Sequence, residues 1–226
     1  MVTDPRTAAE FAPTWNKTAG KWNVVDNVKI WFNEAVGGKQ QGANGSVIPG
    51  KDGIDAHYGS LTVGFGCGDG NGGVQSNLIG PEYGFGFGLE DPASALKGAN
   101  VLIIKTAWGG KTLAADFRPP SSSGATPWCS GDCPRTTGHY YNTMVQDVAD
   151  IMAPGMVGKM FPDLAGLTPK IAGFGWHQGW NDGCSLNQTA EYETNLVNLI
   201  KDLRHTWKSP GEKKRGERRR GLSVWR

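Results

Sequence analysis

The sequence predicts an α/β sandwich built around a parallel sheet, and three features of the chain carry that reading. Val101-Leu102-Ile103-Ile104 is a short, uninterrupted apolar run rich in β-branched residues, the composition of a parallel strand buried on both faces. Ile171-Ala172-Gly173-Phe174-Gly175 is a second such run. Each is followed by a polar loop and then by a segment of helical period, the alternation expected when helices cover a parallel sheet. Right-handed crossovers put the loops after Ile104 and Gly175 on one edge of that sheet, the edge where open α/β sheets bind ligands.

In chain order, residues 8–34 hold Trp15, Trp22 and Trp31, with Val24-Val25 and Val28-Lys29-Ile30-Trp31-Phe32 as short strands. Residues 37–59 read as a Gly/Asn/Asp loop, Leu61-Thr62-Val63-Gly64-Phe65 as a strand, and the stretch up to Gly80 as a second glycine loop. Pro81 suits the first position of a helix, and Glu82 then lies at the positive end of its dipole. Gly84, Gly86 and Gly88 work against that helix, each by up to about 1 kcal/mol relative to alanine. The Val101 strand ends in Lys105-Thr106-Ala107-Trp108-Gly109-Gly110, a polar and flexible loop, and residues 118–138 form a Pro/Ser/Gly-rich surface loop. Between His139 and Met152, the residues Met144, Val145, Val148, Ile151 and Met152 share one helical face. Thr189 is placed to cap a longer helix. Glu191 and Glu193 fall in its first turn, Tyr192, Leu196, Leu199 and Leu203 form its buried stripe, and Lys201, Arg204 and His205 close it.

A chain of 226 residues suits one domain with a sizeable core. Glycine, at 34 residues, is about twice as frequent as usual. It clusters without a fixed period, which argues for long irregular loops and against a repeat array. No apolar run is long enough to span a membrane, and Met1 to Arg6 lacks the apolar core of a secretory signal. The net charge of +2 is unevenly divided: from Lys208 to Arg226 eight Lys or Arg stand against two Glu, so that segment carries +6 and residues 1–207 carry −4. The body therefore offers no nucleic-acid surface. A domain is expected over 1–207, and a basic, disordered tail over 208–226. Cys67, Cys129, Cys133 and Cys184 contain no C-x-x-C pair, which argues against a zinc site. They permit Cys129–Cys133 and Cys67–Cys184 disulfides, or four free thiols.

The richest chemistry follows the Ile171 run directly, in Trp176-His177-Gln178-Gly179-Trp180-Asn181-Asp182. Ester hydrolysis by a serine needs an activated hydroxyl, a His base oriented by a carboxylate, and hydrogen-bond donors for the developing oxyanion. Donors are available: the side-chain amides of Gln178 and Asn181 on one loop, and the backbone N–H groups of Gly109 and Gly110 on the other, where no Cβ obstructs a substrate. Trp108, Trp176, Trp180 and Tyr83 offer flat stacking surfaces for a sugar, or alternatively core packing.

The Gly179-Trp180-Asn181-Asp182 stretch resembles the third sequence block of the SGNH hydrolases. The order of several segments extends the resemblance to their sialate O-acetylesterase, acetylxylan-esterase-like branch. Those segments are Leu61 to Phe65, Gly80-Pro81-Glu82-Tyr83-Gly84-Phe85-Gly86, Ile103 to Lys111, Asp116 to Ser122, His139-Tyr140-Tyr141, Trp176 to Asp182 and Asn195 to Asp202. The resemblance covers residues 61 to 207. It implies a three-layer α/β/α sandwich with a parallel, flavodoxin-like sheet and hydrolysis of acetyl esters on carbohydrate. No metal or other cofactor is implied, and export to a periplasmic or extracellular compartment is expected. Gly109, Gly110, Gln178 and Asn181 map onto the oxyanion hole. Glu82 maps onto a structural glutamate, and Asp182 onto a supporting position that orders its loop. The implied partner is acetylated carbohydrate, with no nucleic acid or membrane.

Two parts of the family pattern are missing. An apolar strand ending in Gly-Gln-Ser-Asn carries the family's nucleophile. Here only Gln75-Ser76-Asn77 echoes it, in a loop just before Gly80. The family's base comes from a late Asp-x-x-His, and none follows Trp207. Ser76 and His177 are the stand-ins. The expectation is therefore an esterase scaffold truncated at both ends and inactive as it stands, or a carbohydrate-binding module on the same scaffold.

Overall fold

Val28, Ile30 and Phe32 point to one side of an extended segment while Trp31 and Asn33 point to the other, and all five are buried. A strand buried on both faces has neighbours on both edges, and this one does. The structure, a computed structural model, describes residues 14–33, 56–66, 78–124 and 136–208. In it β1 (Trp15–Asn16) and β2 (Lys21–Trp22) form a small hairpin, and β3 (Val25–Asn33) is the central strand of a three-stranded sheet. On one edge β4 (Ala56–Leu61) runs antiparallel to β3, and on the other β5 (Val101–Thr106) runs parallel to it. The pairing of β3 with β4 slips between Val25 and Lys29. Four steps along β3 there oppose one along β4, and this odd excess of three residues lets Val25 share a face with Val28.

The chain divides into two units, residues 1–108 with 147–168 and residues 109–146 with 169–226. In the first unit, α1 (Pro81–Leu89) packs on the Val28–Ile30–Phe32 face with Leu61, Val63, Phe65 and Tyr83. Gly84 and Gly88 face open space, whereas Gly86 has a packing reason: a Cβ there would stand 2.0 Å from Leu61 Cδ2. The missing side chain lets the helix lie directly on the sheet, which offsets the propensity cost. The opposite face covers Trp31 with Ile151, Val157, Met160, Phe161 and Leu164, from the end of α2 (His139–Ile151), from α3 (Met156–Met160) and from the turn after it. Lys29, 8 % exposed, also lies on that face, its ammonium 2.8 Å from Asp163 and 3.0 Å from Ser60 Oγ.

The second unit is built on α5 (Leu186–Thr206), preceded by the single turn α4 (Trp180–Gly183). Asn195, Leu199 and Leu203, four residues apart, form its buried stripe. Its polar flank holds the segment that follows Gly110. The buried Arg118 guanidinium pairs with Glu191 at 3.1 Å and donates to the carbonyls of Ala114 and Ser122. Asp202 accepts from the Ser121 N–H at 2.9 Å, and Asn198 donates to Ser122 Oγ.

The helices at Pro81 and His139 and the strand at Val101 form where periodicity and capping place them. Four expectations about the strands change. The sheet formed by the described residues is mixed, because β4 pairs antiparallel with β3. The two short segments around Val24 and Val28 are one strand. The strand expected over 61–65 covers 56–61 instead, since the chain turns away at Gly64, whose N–H donates to Leu78 O at 2.9 Å. Residues 171–175 form no strand. They pair with no other segment among the described residues, and Ile171 is 40 % exposed. An apolar run favours burial, but a strand exists only where a neighbour completes its ladder.

The last helix begins three residues before Thr189, with Ser185 at its N-cap, so Glu191 and Glu193 lie beyond the first turn and Tyr192 and Leu196 are only half-buried. Thr189 instead ties the helix to the preceding turn, its hydroxyl donating to Asp182 O at 3.0 Å. No helix among the described residues is long and apolar enough to cross a membrane. Ser76, Cys67, Cys129, Cys133 and all of the basic tail except Lys208 lie outside the described residues.

Candidate functional site

Asp182 organises the second unit. It is 1 % exposed, and its carboxylate accepts from three donors. The Leu113 N–H reaches both oxygens, at 3.1 and 2.9 Å, the Ala114 N–H reaches Oδ1 at 2.9 Å, and Gln178 Nε2 reaches Oδ2 at 2.6 Å. Charge-assisted bonds of this kind are about twice as strong as neutral ones. They clamp the loop after Gly110 to the turn at 178–182. Gln178 adds a second strut, donating to Lys111 O at 2.9 Å. The loop also braces itself: Asp116 accepts from the Thr112 N–H at 2.8 Å and from its hydroxyl at 3.1 Å.

The clamp brings Asn181 over Gly110. A Cβ built on Gly110 would lie 3.8 Å from Asn181 Nδ2. Gly110 has φ +74°, a conformation that suits glycine, and the approach to Gly109 is open. The Asn181 amide meets no hydrogen-bond partner among the described residues. This small surface therefore presents an uncommitted side-chain donor beside two exposed glycines. Gln178 differs. Its amide has two hydrogens, and Lys111 O and Asp182 take both. The residue expected as an oxyanion donor is, in this geometry, a strut for the loop.

The aromatic residues sort by burial. Trp180 is 86 % exposed at the start of α4. Trp176 is half-buried, packed edge-on against Phe117 at 5.3 Å, with its indole N–H donating to Tyr192 Oη at 3.2 Å. His177 is exposed. Lys111 lies over the Tyr140 ring at 4.6 Å.

Three expected site residues belong to the first unit. Trp108, half-buried, is the last residue of its first stretch. Glu82 is buried and ion-paired with Lys105 at 3.1 Å, and the same ammonium bonds the carbonyls of Phe65 and Gly66. Tyr83, expected at the mouth as a stacking surface, is a core residue instead, 2 % exposed among Trp22 and Phe87. Its hydroxyl reaches Asn23 O at 2.8 Å and Thr14 O at 3.0 Å, and burial pushes the phenol up to about 12. At helix position N3 its side chain turns down onto the sheet rather than outward.

Sequence reasoning passed over Tyr192 and Arg118. Period assigned Tyr192 to a buried stripe but said nothing of its hydroxyl. Arg118 looked like one polar residue in a surface loop, and only burial reveals that it holds three partners.

A family model described as carbohydrate esterase, sialic acid-specific acetylesterase, matches residues 69–211. No curated protein and no solved structure matches the chain significantly.

Proposed function

The chain belongs to the sialic acid-specific acetylesterase family of carbohydrate esterases, and from that premise we propose that its second unit carries the oxyanion-binding half of a serine esterase acting on acetylated carbohydrate. The single observation supporting this is the Asn181 amide held over Gly110, with Asp182 and Gln178 fixing both loops. In acyl transfer the carbonyl oxygen gains charge as the tetrahedral intermediate forms. Preset donors stabilise it without reorganising, and each is worth about 2.7–4 kcal/mol of barrier. Asn181 Nδ2 and the backbone N–H groups of Gly109 and Gly110 take that role, Gln178 and Asp182 hold them in place, and Glu82 with Lys105 is structural. Trp180 stacks on the sugar. We place the complete fold among three-layer α/β/α sandwiches with a flavodoxin-like parallel sheet, a reading supported by the parallel β3–β5 pair. We place the protein in an exported compartment on family resemblance.

The sequence holds no Gly-Gln-Ser-Asn, and its one late Asp-x-x-His, Asp202-Leu203-Arg204-His205, lies inside α5, where the Asp202 carboxylate is taken by Ser121 rather than orienting a base. The chain alone therefore binds acetylated sugar without turning it over, since removing nucleophile and base leaves only the oxyanion and binding contributions. The 86 % exposure of Trp180 favours the second reading, a binding module on the esterase scaffold. p-Nitrophenyl acetate hydrolysis and binding of acetylated xylan test both. We expect no turnover and saturable binding that Trp180→Ala abolishes. Turnover lost on Ser76→Ala or His177→Ala would restore the nucleophile or base to this chain.

A further inference from the structure

Tyr192 lies on the first turns of α5, beneath the 176–179 segment, and its hydroxyl joins three groups there. It accepts from Trp176 Nε1 at 3.2 Å and donates its single hydrogen to Gln178 O at 2.5 Å, with Gln178 Oε1 at 3.2 Å as the alternative acceptor. Gly179, the next residue, has φ +156°, and a Cβ there would stand 3.4 Å from the same hydroxyl. That φ is one side chains rarely adopt, so the turn keeps its shape beside the hydroxyl because residue 179 is glycine. Beyond it α4 begins, and Asn181 is its second residue. The orientation of Asn181 toward Gly110 thus depends on where the 176–179 backbone is held. Asp182 and Gln178 Nε2 hold the turn from the side of the 111–114 loop. Tyr192 holds it from the helix.

We propose that the Tyr192 hydroxyl is a positioning group of the site, fixing Trp176 and the Gln178 carbonyl so that the Asn181 amide faces Gly110. The role rests on the oxyanion reading above for its functional meaning, but its geometric content is independent of it. Tyr192→Phe removes one oxygen and keeps the ring that packs in the unit. The indole N–H then loses its acceptor and the Gln178 carbonyl its donor.

The test uses the full chain, isotope-labelled, with acetate as the probe. In Tyr192→Phe the Trp176 indole N–H signal moves upfield and exchanges faster with solvent. The Asn181 side-chain amide signals shift, and acetate binding, read at Gly110 and Asn181, weakens about fivefold, the equivalent of one neutral hydrogen bond. A purely structural tyrosine would lower stability while leaving the Asn181 signals in place. Unchanged Trp176 and Asn181 signals overturn the proposal, as does displacement of those signals with acetate affinity unchanged. If acetate binds neither form, the oxyanion reading fails, and the Asn181 displacement alone still decides the role of Tyr192. Should Tyr192→Phe not fold, Gly179→Ala tests the same contact. Its side chain is strained at φ +156°, so the turn shifts away from the hydroxyl and the same two signals must move, and unchanged signals in that variant refute the role.

Discussion

Replacing Asp182 should destabilise this protein more than any exposed substitution at the candidate site. Its carboxylate is 1 % exposed and accepts from Leu113 N, Ala114 N and Gln178 Nε2. Leu113 and Ala114 are themselves buried, so in Asp182→Ala two backbone donors lose every acceptor in reach, whereas Gln178 keeps its bond to Lys111 O. An orphaned buried donor costs about 1–3 kcal/mol, which puts Asp182→Ala at about 3–5 kcal/mol. Asp182→Asn keeps one acceptor oxygen for the two backbone groups but turns an amide N–H₂ toward Gln178 Nε2. Gln178 could answer by rotating its own amide, yet that would set its oxygen against Lys111 O. The isosteric change therefore costs about 1–3 kcal/mol through one mismatched contact. Urea unfolding followed by far-ultraviolet circular dichroism gives both values. An Asp182→Ala variant within about 1 kcal/mol of wild type would refute the idea that this carboxylate clamps the two loops.

Three further outcomes are expected. Gly110→Ala places a side chain at φ +74° and a methyl 3.8 Å from Asn181 Nδ2. It should lose about 1–2 kcal/mol in urea unfolding and weaken acetate binding beyond what that loss explains. Lys105→Met leaves the buried Glu82 carboxylate without its cation, at a cost of about 3–5 kcal/mol that Glu82→Gln in the same chain largely restores. The Tyr83 phenol titrates near 12 against an ordinary 10.0. A folded-state pKa raised in this way contributes stability that is complete below the unfolded value and is lost as pH rises through the interval to the folded one. The stability difference between wild type and Tyr83→Phe should therefore shrink between pH 10 and 12. A difference that stays constant through that interval rules out burial of a neutral phenol.

Legibility followed the range of the interactions. The helix at Pro81, the helix at His139 and the strand at Val101 were readable because period, a fixed proline φ and dipole-compatible charge act within a few residues. The Gly110 and Gln178–Asn181 segments do approach each other, but through the Asp182 and Gln178 hydrogen bonds and not through the two parallel strands from which their pairing was expected. The strand at 171–175 was misjudged for the opposite reason. Its apolar residues are local, but the partner that makes a strand is not.

The same division runs through the site. Residue order alone was enough for the family, because a family pattern is a matter of which side chains follow which along the chain. Folding was needed to make Gln178 a strut, Tyr83 a core residue and Tyr192 a hub. A side chain's role there depends on which groups have already taken its hydrogens or its lone pairs, and apart from Asp182, four residues from Gln178, those partners lie 14 to 69 positions away.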